Sequence, residues 1–388
     1  MNFEYSQEAE YFRESFRTWL VANFPKEWNY EVTGEELVER RRTWGKMLGQ
    51  GGWVAPAWPK EYGGLGLTLE QQLVYIEELV RINAPEVLNS NGIGIFGMTL
   101  IRYGTEEQKK HYLPRMLYHD DIWCQGFSEP IAGSDLAGLQ TKAERKGDHY
   151  VLNGQKIWTS YAPYANKCYI LVRTGESRYK GISLMILDLK QPGVTVRPIK
   201  NIAGESELAE VFLDDAVVPI EDVVGEINNG WEMANYSLAN ERGIHFAQRA
   251  LKMQQEFQQL VSLFQKQIDI GNSQAISSVL QNKLVQSYLS CEILKSISLR
   301  NIALIAQGDD NGAIPAIAKL VWSESHQDLL NLGVEVLGEE SLVKGEHEVW
   351  LQKFLISRAE TIYAGTTQVQ KNIIAKSLGL PSSKGGRA

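Results

Sequence analysis

FSEPIAGSD, the run from Phe127 to Asp135, stands where the pattern of the chain changes from helical to strand-like. From Ser6 to about His119, apolar residues recur at helical spacing, which predicts an all-helical block. From Asp121 onward, short runs rich in β-branched and aromatic residues predict strands. The predicted strands are Ile122–Phe127, His149–Leu152, Gln155–Ser160, Cys168–Val172, Ile182–Leu187, Val194–Val196 and Glu210–Leu213. Short strands in this number are typical of an antiparallel sandwich or barrel.

Two dipeptides between these strands predict turns. Asn153-Gly154 is the strongest hairpin signal, because a type I′ turn needs a positive φ at both central residues. Pro192-Gly193 predicts a second turn further along the chain.

Helical spacing returns after Gly230 and lasts nearly to the end of the chain. Three long segments, Trp231–Lys266, Gln274–Gln307 and Pro315–Leu337, are typical of a helical bundle. The sequence therefore predicts an α+β protein with three domains in α–β–α order. The expected boundaries are 1–120 for the helical N-terminal domain, 121–228 for the β domain and 229–388 for the helical bundle.

Composition disfavours several classes of function. The 388 residues carry a net charge of −8 and no long basic run, which disfavours a nucleic-acid partner. The most apolar stretch, Gly92 to Ile101, is far shorter than the about 20 residues of a membrane-spanning helix. Glu4, Glu8 and Glu10 are unlike a signal or transit peptide. Three widely spaced cysteines predict reduced thiols, a cytoplasmic location and no metal site.

Three glycine-rich or hydroxyl-rich stretches allow more than one interpretation. Gly92-x-Gly94-x-x-Gly97 matches the dinucleotide-binding pattern, but no strand is predicted before it, so close helix packing is favoured. The small residues and backbone amides of the FSEPIAGSD run are suited to binding a phosphate, and Trp158 with two nearby hydroxyl groups is suited to binding a planar ring. The alternative is that the run is only a turn. The Gly-Thr-Thr turn that ends at Thr367 precedes a predicted helix, so its amides and hydroxyl groups could bind an anionic ligand. The alternative is that the turn only caps the start of that helix.

Five motifs in the same order make the chain resemble the acyl-CoA dehydrogenase family over nearly its whole length. They are Tyr62–Gly66, Tyr103–Gln108, Ser128–Asp135, Leu152–Ser160 and Tyr363–Gln370. The resemblance implies a helical N-terminal domain, a middle β-barrel and a C-terminal four-helix bundle, with FAD between the middle and C-terminal domains. It also implies dehydrogenation of an acyl-CoA to the trans-2-enoyl-CoA, with flavin N5 taking the β-hydride. An electron-transfer flavoprotein or a similar acceptor is the implied redox partner.

The same resemblance implies roles for residues near the flavin ring. Phe127 and Ser128 lie where the family contacts the ring. Trp158 lies where an indole flanks the ring, and Ser160 lies where a hydroxyl group bonds flavin N5.

Further positions match contacts to other parts of the ligands. Ser134 matches a residue beside the thioester arm of CoA, and so is expected to serve both cofactor and substrate. Thr366 and Gln368 match contacts to the FAD of a neighbouring subunit.

The catalytic base departs from the commonest family pattern. Many members carry it as a Glu after the Tyr of the C-terminal motif, where this chain has Ala364, and Glu360 lies four residues earlier. A branch similar to the isovaleryl- and long-chain-type enzymes carries the Glu on the first C-terminal helix, just before an Arg. Glu241 and Arg242 fit that placement, which implies Glu241 as the base and Arg242 facing the CoA moiety. A solvated surface acid is the alternative for Glu241.

A second departure concerns the residues that hold FAD. Many members carry an Arg-x-x-Phe-Gly stretch whose Arg binds the FAD pyrophosphate of the facing subunit, but this chain has no Arg between Gln254 and Gln281. Glu335 and Glu339 stand where other members have FAD-facing residues, and their charges would repel phosphate. These departures predict a heterotetramer in which a sister subunit holds the pyrophosphate, similar to bacterial α2β2 enzymes acting on steroid side chains or dicarboxylyl-CoAs. A homo-oligomer is the alternative.

Two other functions stay open at the level of sequence. One is a flavin-dependent oxygenase of the same fold, and the other is a non-catalytic partner subunit of a heteromeric dehydrogenase.

Overall fold

The computed structural model of the protein describes residues 5–28, 30–240, 245–271, 277–308, 313–343, 345 and 347–380. Within these residues, helices occupy the chain as far as Leu117, strands follow between Trp123 and Val224, and helices return from Gly230. This order confirms the predicted α+β fold, with a helical N-terminal part, a β middle part and a helical C-terminal part.

Five α-helices precede the strands in the described part of the chain. They are α1 (Gln7–Asn23), α2 (Gly34–Gln50), α3 (Leu69–Arg81), α4 (Gly97–Tyr103) and α5 (Glu106–Leu117). The hydroxyl group of Ser6 caps α1 by accepting a hydrogen bond from the amide of Ala9 at 3.2 Å. At the start of α5, Thr105 and Gln108 form a reciprocal capping box. Thr105 therefore separates α4 from α5.

A π-helical turn over Asn91–Phe96 leads into α4, at the glycines that match the dinucleotide-binding pattern. The indole Nε1 of Trp58 donates a hydrogen bond to the carbonyl of Ile93 at 2.8 Å, which ties this turn to the preceding loop. A Cβ atom added at Gly97 would lie 2.0 Å from Cζ2 of Trp58. Gly97 therefore allows a helix to pack closely on an indole ring, which confirms the packing interpretation.

The middle part is one mixed sheet. Its strands are β1 (Trp123–Gly126), β2 (Lys142–Lys146), β3 (His149–Ser160), β4 (Lys167–Arg173), β5 (Ile182–Asp188), β6 (Val194–Ile199), β7 (Leu208–Pro219) and β8 (Val223–Val224). The strand order is β6-β7-β3-β2-β4-β5-β8, and β1 pairs with β4 in parallel. Strand β2 is not among the predicted strands, because it is charged, mostly exposed and has none of the β-branched or aromatic residues by which strands are predicted.

One apolar core is shared by the strands of this sheet. Cys124 of β1, Leu152 of β3, Ile170 of β4, Met185 of β5 and Val211 of β7 all belong to it. The predicted β domain is thus a single sheet built on one core. Cys124 and Cys168 of this core and Cys291 of the helical part are all free thiols.

The hairpin predicted at Asn153-Gly154 is wrong, because both residues lie inside β3. The chain reverses instead at Gly147-Asp148, between β2 and β3, and Gly147 has a φ of 66°. The side chain of Asn153 bridges to β7, where it donates to a carboxylate oxygen of Asp215 and accepts from the Asp215 amide, both at 2.9 Å. The strand register shifts at this point. Asn153 therefore stabilises a β-bulge rather than a turn. The turn predicted at Pro192-Gly193 does connect β5 to β6.

Six α-helices follow the strands in the described part of the chain. They are α6 (Gly230–Asn240), α7 (His245–Asp269), α8 (Ser278–Ala306), α9 (Ala313–Leu337), α10 (Glu348–Ser357) and α11 (Thr367–Ser377). Leu260 of α7, Leu294 of α8 and Leu329 of α9 are fully buried in one cluster. The predicted helices over 274–307 and 315–337 are confirmed as α8 and α9 within the described residues, which leave out 274–276. None of the described helices is long and apolar enough to cross a membrane.

By internal packing, the described residues fall into two compact units. One unit comprises residues of 1–32, 69–84 and 242–388, so it contains α1 and α3 together with the helices from α7 onward. The other comprises residues of 33–68 and 85–241 and contains the sheet.

Replacing Gly97 with Ala is expected to lower the free energy of unfolding by about 1–3 kcal/mol, because the added methyl group overlaps the Trp58 ring. Gly133→Ala is the matched control, since no heavy atom lies within 4 Å of the position of its new Cβ. That control should stay within about 0.5 kcal/mol of the wild type. Denaturant unfolding measures both values, and an unchanged or higher stability of Gly97→Ala would contradict the packing role of Gly97.

Candidate functional site

The FSEPIAGSD run forms a tight loop directly after β1. The amide and carbonyl groups of Glu129 and Ala132 bond to each other in both directions, at 3.1 and 3.0 Å. The ring of Phe127 is buried and meets the ring of Tyr169 edge-on, with centroids 5.6 Å apart. Ser128 is half-buried and Ser134 is exposed. The loop thus has an anchored base and leaves Ser134 accessible.

A buried ion pair fastens this loop to strand β3. Nζ of Lys156 lies 2.8 Å from Oε1 of Glu129, with the two side chains 0% and 4% exposed. Lys156 also donates to the carbonyl of Phe127 at 3.3 Å. The carboxylate of Glu129 also accepts hydrogen bonds from the backbone amides of Gln140 and Thr141, at 2.6 and 2.9 Å. The Lys156 ammonium group and both carboxylate oxygens of Glu129 are therefore hydrogen-bonded although they are buried.

The two partners shift each other's proton affinity. Burial raises the pKa of Glu129, but the positive charge of Lys156 and the hydrogen bonds to the carboxylate outweigh burial and lower the pKa overall. Burial lowers the pKa of Lys156, and the attraction of Glu129 opposes that shift. Because the pKa of Glu129 is lowered, its carboxylate stays ionised at neutral pH.

A bulge in β3 exposes Trp158. Lys156 pairs with Val211 of β7 and Thr159 pairs with Ala209, so β3 has one more residue than β7 between these pairs. Trp158 has a φ of 61°, a rare value for a bulky residue, and its side chain is 57% exposed. Outliers of this kind concentrate at functional sites, and here the bulge directs an indole ring out of the core.

The bulge also brings the two sequence motifs together. The amide of Ile157 donates to the carbonyl of Ser128 at 3.0 Å, so β3 and the loop after β1 lie side by side. Ser160 ends β3 and is half-buried. The next residue, Tyr161, donates its amide to the carbonyl of Glu207 at 2.7 Å and accepts from Nη1 of Arg41 at 2.9 Å. The end of β3 is thereby held in place.

Several buried polar atoms near these residues have no hydrogen-bond partner in the described part of the chain, and two of them lie beside the loop and the bulge. These two are Nε2 of Gln125 on β1 and Oγ1 of Thr159 on β3. A buried unpaired donor is costly unless a ligand or water satisfies it. Together with the exposed Trp158 and the hydroxyl groups of Ser128 and Ser160, they fit a planar ring with polar edges, as a flavin has.

The C-terminal motif forms a turn and a helix cap. The hydroxyl group of Thr366 accepts from the amide of Val369 at 3.2 Å, so Thr366 is the N-cap of α11, as one sequence interpretation expects. Nε2 of Gln370 donates to the carbonyl of Ala364 at 2.8 Å and closes the turn. Gln368 is exposed. Contacts of Thr366 and Gln368 with FAD stay a prediction.

Glu241 and Arg242 lie outside the described residues, so their predicted roles stay predictions. Ala364 does occupy the turn, with a φ of 51°. The acid nearest to that turn, Glu360, is buried and binds Nδ1 of His326 through both of its oxygens at 2.9 Å. Glu360 is therefore engaged by His326.

The two acids that bear on the predicted assembly differ in their surroundings. Oε2 of Glu335 lies 2.6 Å from Nζ of Lys283, and both side chains are about half exposed. This ion pair compensates the charge of Glu335, so the expected repulsion of phosphate is weaker there than the sequence predicts. Glu339 is exposed in a short 3-10 turn after α9.

The geometry adds three residues to the predicted site, Gln125, Glu129 and Lys156. Glu129 and Lys156 lie within the quoted motifs, but an ion pair between them depends on the loop folding back against β3. A lysine inside a predicted strand is the available signal. In the part of the chain that the structure describes, no group of three or more His, Cys, Asp and Glu side chains could hold a metal ion.

Three family models match successive parts of the chain. They are the N-terminal domain of acyl-CoA dehydrogenase at residues 6–120, its middle domain at 124–216 and its C-terminal domain at 228–379. Together they span the sequence motifs and the described site.

Individual relatives match over nearly the full length. "Acyl-CoA dehydrogenase IpdE1" of Mycolicibacterium smegmatis is 37% identical over 96% of this chain and 98% of its own length. The solved structure "Tcur3481-Tcur3483 steroid ACAD" is 27% identical with a TM-score of 0.83, over 99% of this chain and 100% of that one. The ChsE4-ChsE5 complex from Mycobacterium tuberculosis is 29% identical with a TM-score of 0.82, over the same shares. The chain belongs to the acyl-CoA dehydrogenase family of FAD-dependent oxidoreductases.

Proposed function

We propose that the protein removes hydrogen from Cα and Cβ of an acyl-CoA thioester and releases the trans-2-enoyl-CoA. The observation that carries this proposal is a surface of the sheet-containing unit on which Trp158 projects from a bulge beside Ser128 and Ser160. We call this surface the flavin cradle. A second support is the full-length similarity to acyl-CoA dehydrogenases.

FAD, when bound, would supply the acceptor for the hydride that leaves the β-carbon. Phe127, Ser128, Trp158 and Ser160 would hold its ring system, because they combine an exposed indole with hydroxyl groups on a fixed loop. The ion pair behind them keeps that loop from moving when the ring enters. Preorganised donors of this kind need no rearrangement during the reaction.

Glu241 removes the α-proton in the proposed mechanism. The α-proton of a thioester is weakly acidic, so its removal needs a carboxylate held close to the substrate and away from water. Ala364 supplies no acid, and Glu360 is occupied by His326. Arg242 faces the CoA moiety, and Ser134, exposed on its loop, contacts the thioester arm.

We propose a steroid-derived acyl group as the substrate class. The support is similarity over the full length to solved structures described as steroid acyl-CoA dehydrogenases.

The proposed assembly pairs this chain with a sister chain of the same fold. Val285, Tyr288, Leu289 and Ile293 form an exposed apolar stripe on α8, since their spacing places them on one helix face. Exposed apolar stripes of this kind mark protein–protein contacts. The similar ChsE4-ChsE5 structure is a complex of two differently named chains, which supports a sister chain as the occupant.

Glu241→Gln is expected to lower the rate of acyl-CoA dehydrogenation by about 10²–10⁴-fold while FAD remains bound, because the amide cannot accept the α-proton. Glu226→Gln, at an exposed acid, is the control and should leave the rate unchanged. The measurements are reduction of an artificial electron acceptor and the flavin absorbance of each variant. Normal turnover by Glu241→Gln would remove Glu241 from the role. Product that forms only with oxygen and without an acceptor would favour the oxygenase.

Lys156→Met is expected to lower the free energy of unfolding by about 3–5 kcal/mol, because it leaves the charge of Glu129 buried without an opposite charge beside it. FAD content after purification should fall with it, since the loop that carries Ser128 loses its anchor. Lys142→Met, at an exposed lysine of β2, is the control. The double variant Lys156→Met/Glu129→Gln should recover part of the stability. Unchanged stability of Lys156→Met would contradict the anchoring role.

The protein purified from its own host is expected to contain a second acyl-CoA dehydrogenase-like chain in equal amount, as shown by native mass spectrometry and peptide identification. Ile293→Glu should release the sister chain, because it places a charge in the apolar stripe, while Lys295→Glu on exposed helix surface should not. A stable homotetramer with full FAD occupancy and full activity would contradict the sister-chain proposal.

A further inference from the structure

His326 of α9 lies between two carboxylates in the unit that holds the C-terminal helices. Its Nδ1 atom lies 2.9 Å from both oxygens of Glu360, and its Nε2 atom lies 2.8 Å from Oε2 of Glu256. All three side chains are largely buried. A carboxylate can only accept, so both ring nitrogens carry hydrogen and the ring is an imidazolium.

His326, Glu256 and Glu360 are called the triad here, and further charged groups from α7, α9 and α10 lie close to it. Nζ of Lys353 on α10 lies 3.1 Å from Oε1 of Glu256 and 3.0 Å from Oε2 of Glu31. On α9 itself, Nζ of Lys319 donates to the carbonyl of Glu360 at 2.8 Å. From α7, the guanidinium of Arg249 lies 4.0 Å from the ring centroid of Trp322, whose own ring stacks on that of His326 at 6.0 Å.

The proton on His326 is held strongly. Burial lowers the pKa of His326, but the charges of Glu256 and Glu360 and their hydrogen bonds outweigh burial and raise it to about 10. The same arrangement lowers the pKa of Glu256 far below its usual range, because Lys353 and His326 both lie against it. His326 and Glu256 are therefore both ionised at neutral pH.

The triad holds the chain just before the Ile362–Thr366 turn. Glu360 is tied twice to α9, through its carboxylate to His326 and through its carbonyl to Lys319. Nε2 of Gln327 donates to the carbonyl of Ser357 at 2.7 Å and adds a third tie from α9. On the far side, Gln370 closes the turn onto Ala364. The turn is thus fixed at both ends.

We infer that His326 is a positioning residue that acts through Glu360 to set the Ile362–Thr366 turn where acyl-CoA and FAD bind. The inference rests on the proposed function for the identity of these ligands. Position 364 carries an alanine, so the turn offers backbone and the half-exposed Tyr363 to a ligand rather than a carboxylate. Its contribution then depends on where the turn lies.

Glu360→Ala tests this inference, because it removes the contact to the turn and leaves His326 bound to Glu256. Exchange of the amides of Ile362, Tyr363 and Thr367, which are hydrogen-bonded in the turn, is expected to accelerate at least about tenfold. The Kd of an enoyl-CoA, measured from the change in flavin absorbance, should rise by about fivefold or more. Glu360→Gln keeps a hydrogen bond to His326 and should restore most of both values.

Glu256→Ala is the matched control, because it removes the other carboxylate from the same imidazole without touching the turn. It should lower the melting temperature without accelerating exchange in the turn. Equal effects of Glu256→Ala and Glu360→Ala on exchange and on Kd would overturn the positioning role and leave a purely stabilising one. The exchange experiment needs no substrate, so it can succeed when the proposed function fails, and an enoyl-CoA that binds normally to Glu360→Ala refutes only this inference.

The pH dependence tests the charge on His326. A group whose pKa is raised on folding stabilises the protein below its unfolded pKa, and that stabilisation is lost as pH rises through the folded pKa. The gap in melting temperature between the wild type and His326→Gln should therefore be largest below about pH 6.5 and close as pH approaches 10. A gap that does not change with pH would contradict a protonated His326.

Discussion

The ion pair between Lys156 and Glu129 is the interaction on which the flavin cradle depends. It is fully enclosed, and Glu129 also binds the amides of two residues beyond the loop. Such a pair adds little to net stability compared with apolar packing, but losing one partner is costly. Its value here is geometric, because it locks the loop after β1 against the strand that carries Trp158.

The same region shows how backbone irregularities shape a binding surface. Trp158 adopts a positive φ within a bulge, and the bulge turns its indole outward while keeping Thr159 buried. At Asn153, a second irregularity is stabilised by a side-chain bridge to Asp215. The extra residue lies in β7 at the first irregularity and in β3 at the second, so the register between these two strands shifts twice.

The helical unit relies on buried charge in a different way. His326 connects α7 to the segment after α10, and Lys353 extends the network to Glu31 near the N-terminal helix. Each charge is matched by an opposite one, which offsets the cost of removing it from water. The network therefore fixes relative positions within that unit, including that of the turn before α11. The two units thus use one device, a satisfied buried ion pair, to hold a loop.

The sequence by itself determined the α–β–α order, the family and the need for FAD, because hydrophobic spacing and short motifs are local properties of the chain. Only the tertiary structure decided which residues meet. His326 and Glu256 are 70 residues apart, and the role of Asn153 depends on a strand that follows much later. The hairpin prediction at Asn153-Gly154 failed for that reason, since a neighbouring strand offered the asparagine a better set of hydrogen bonds than a turn would. Which residues pair over long range depends on all elements of the fold together, and a local sequence pattern does not contain that information.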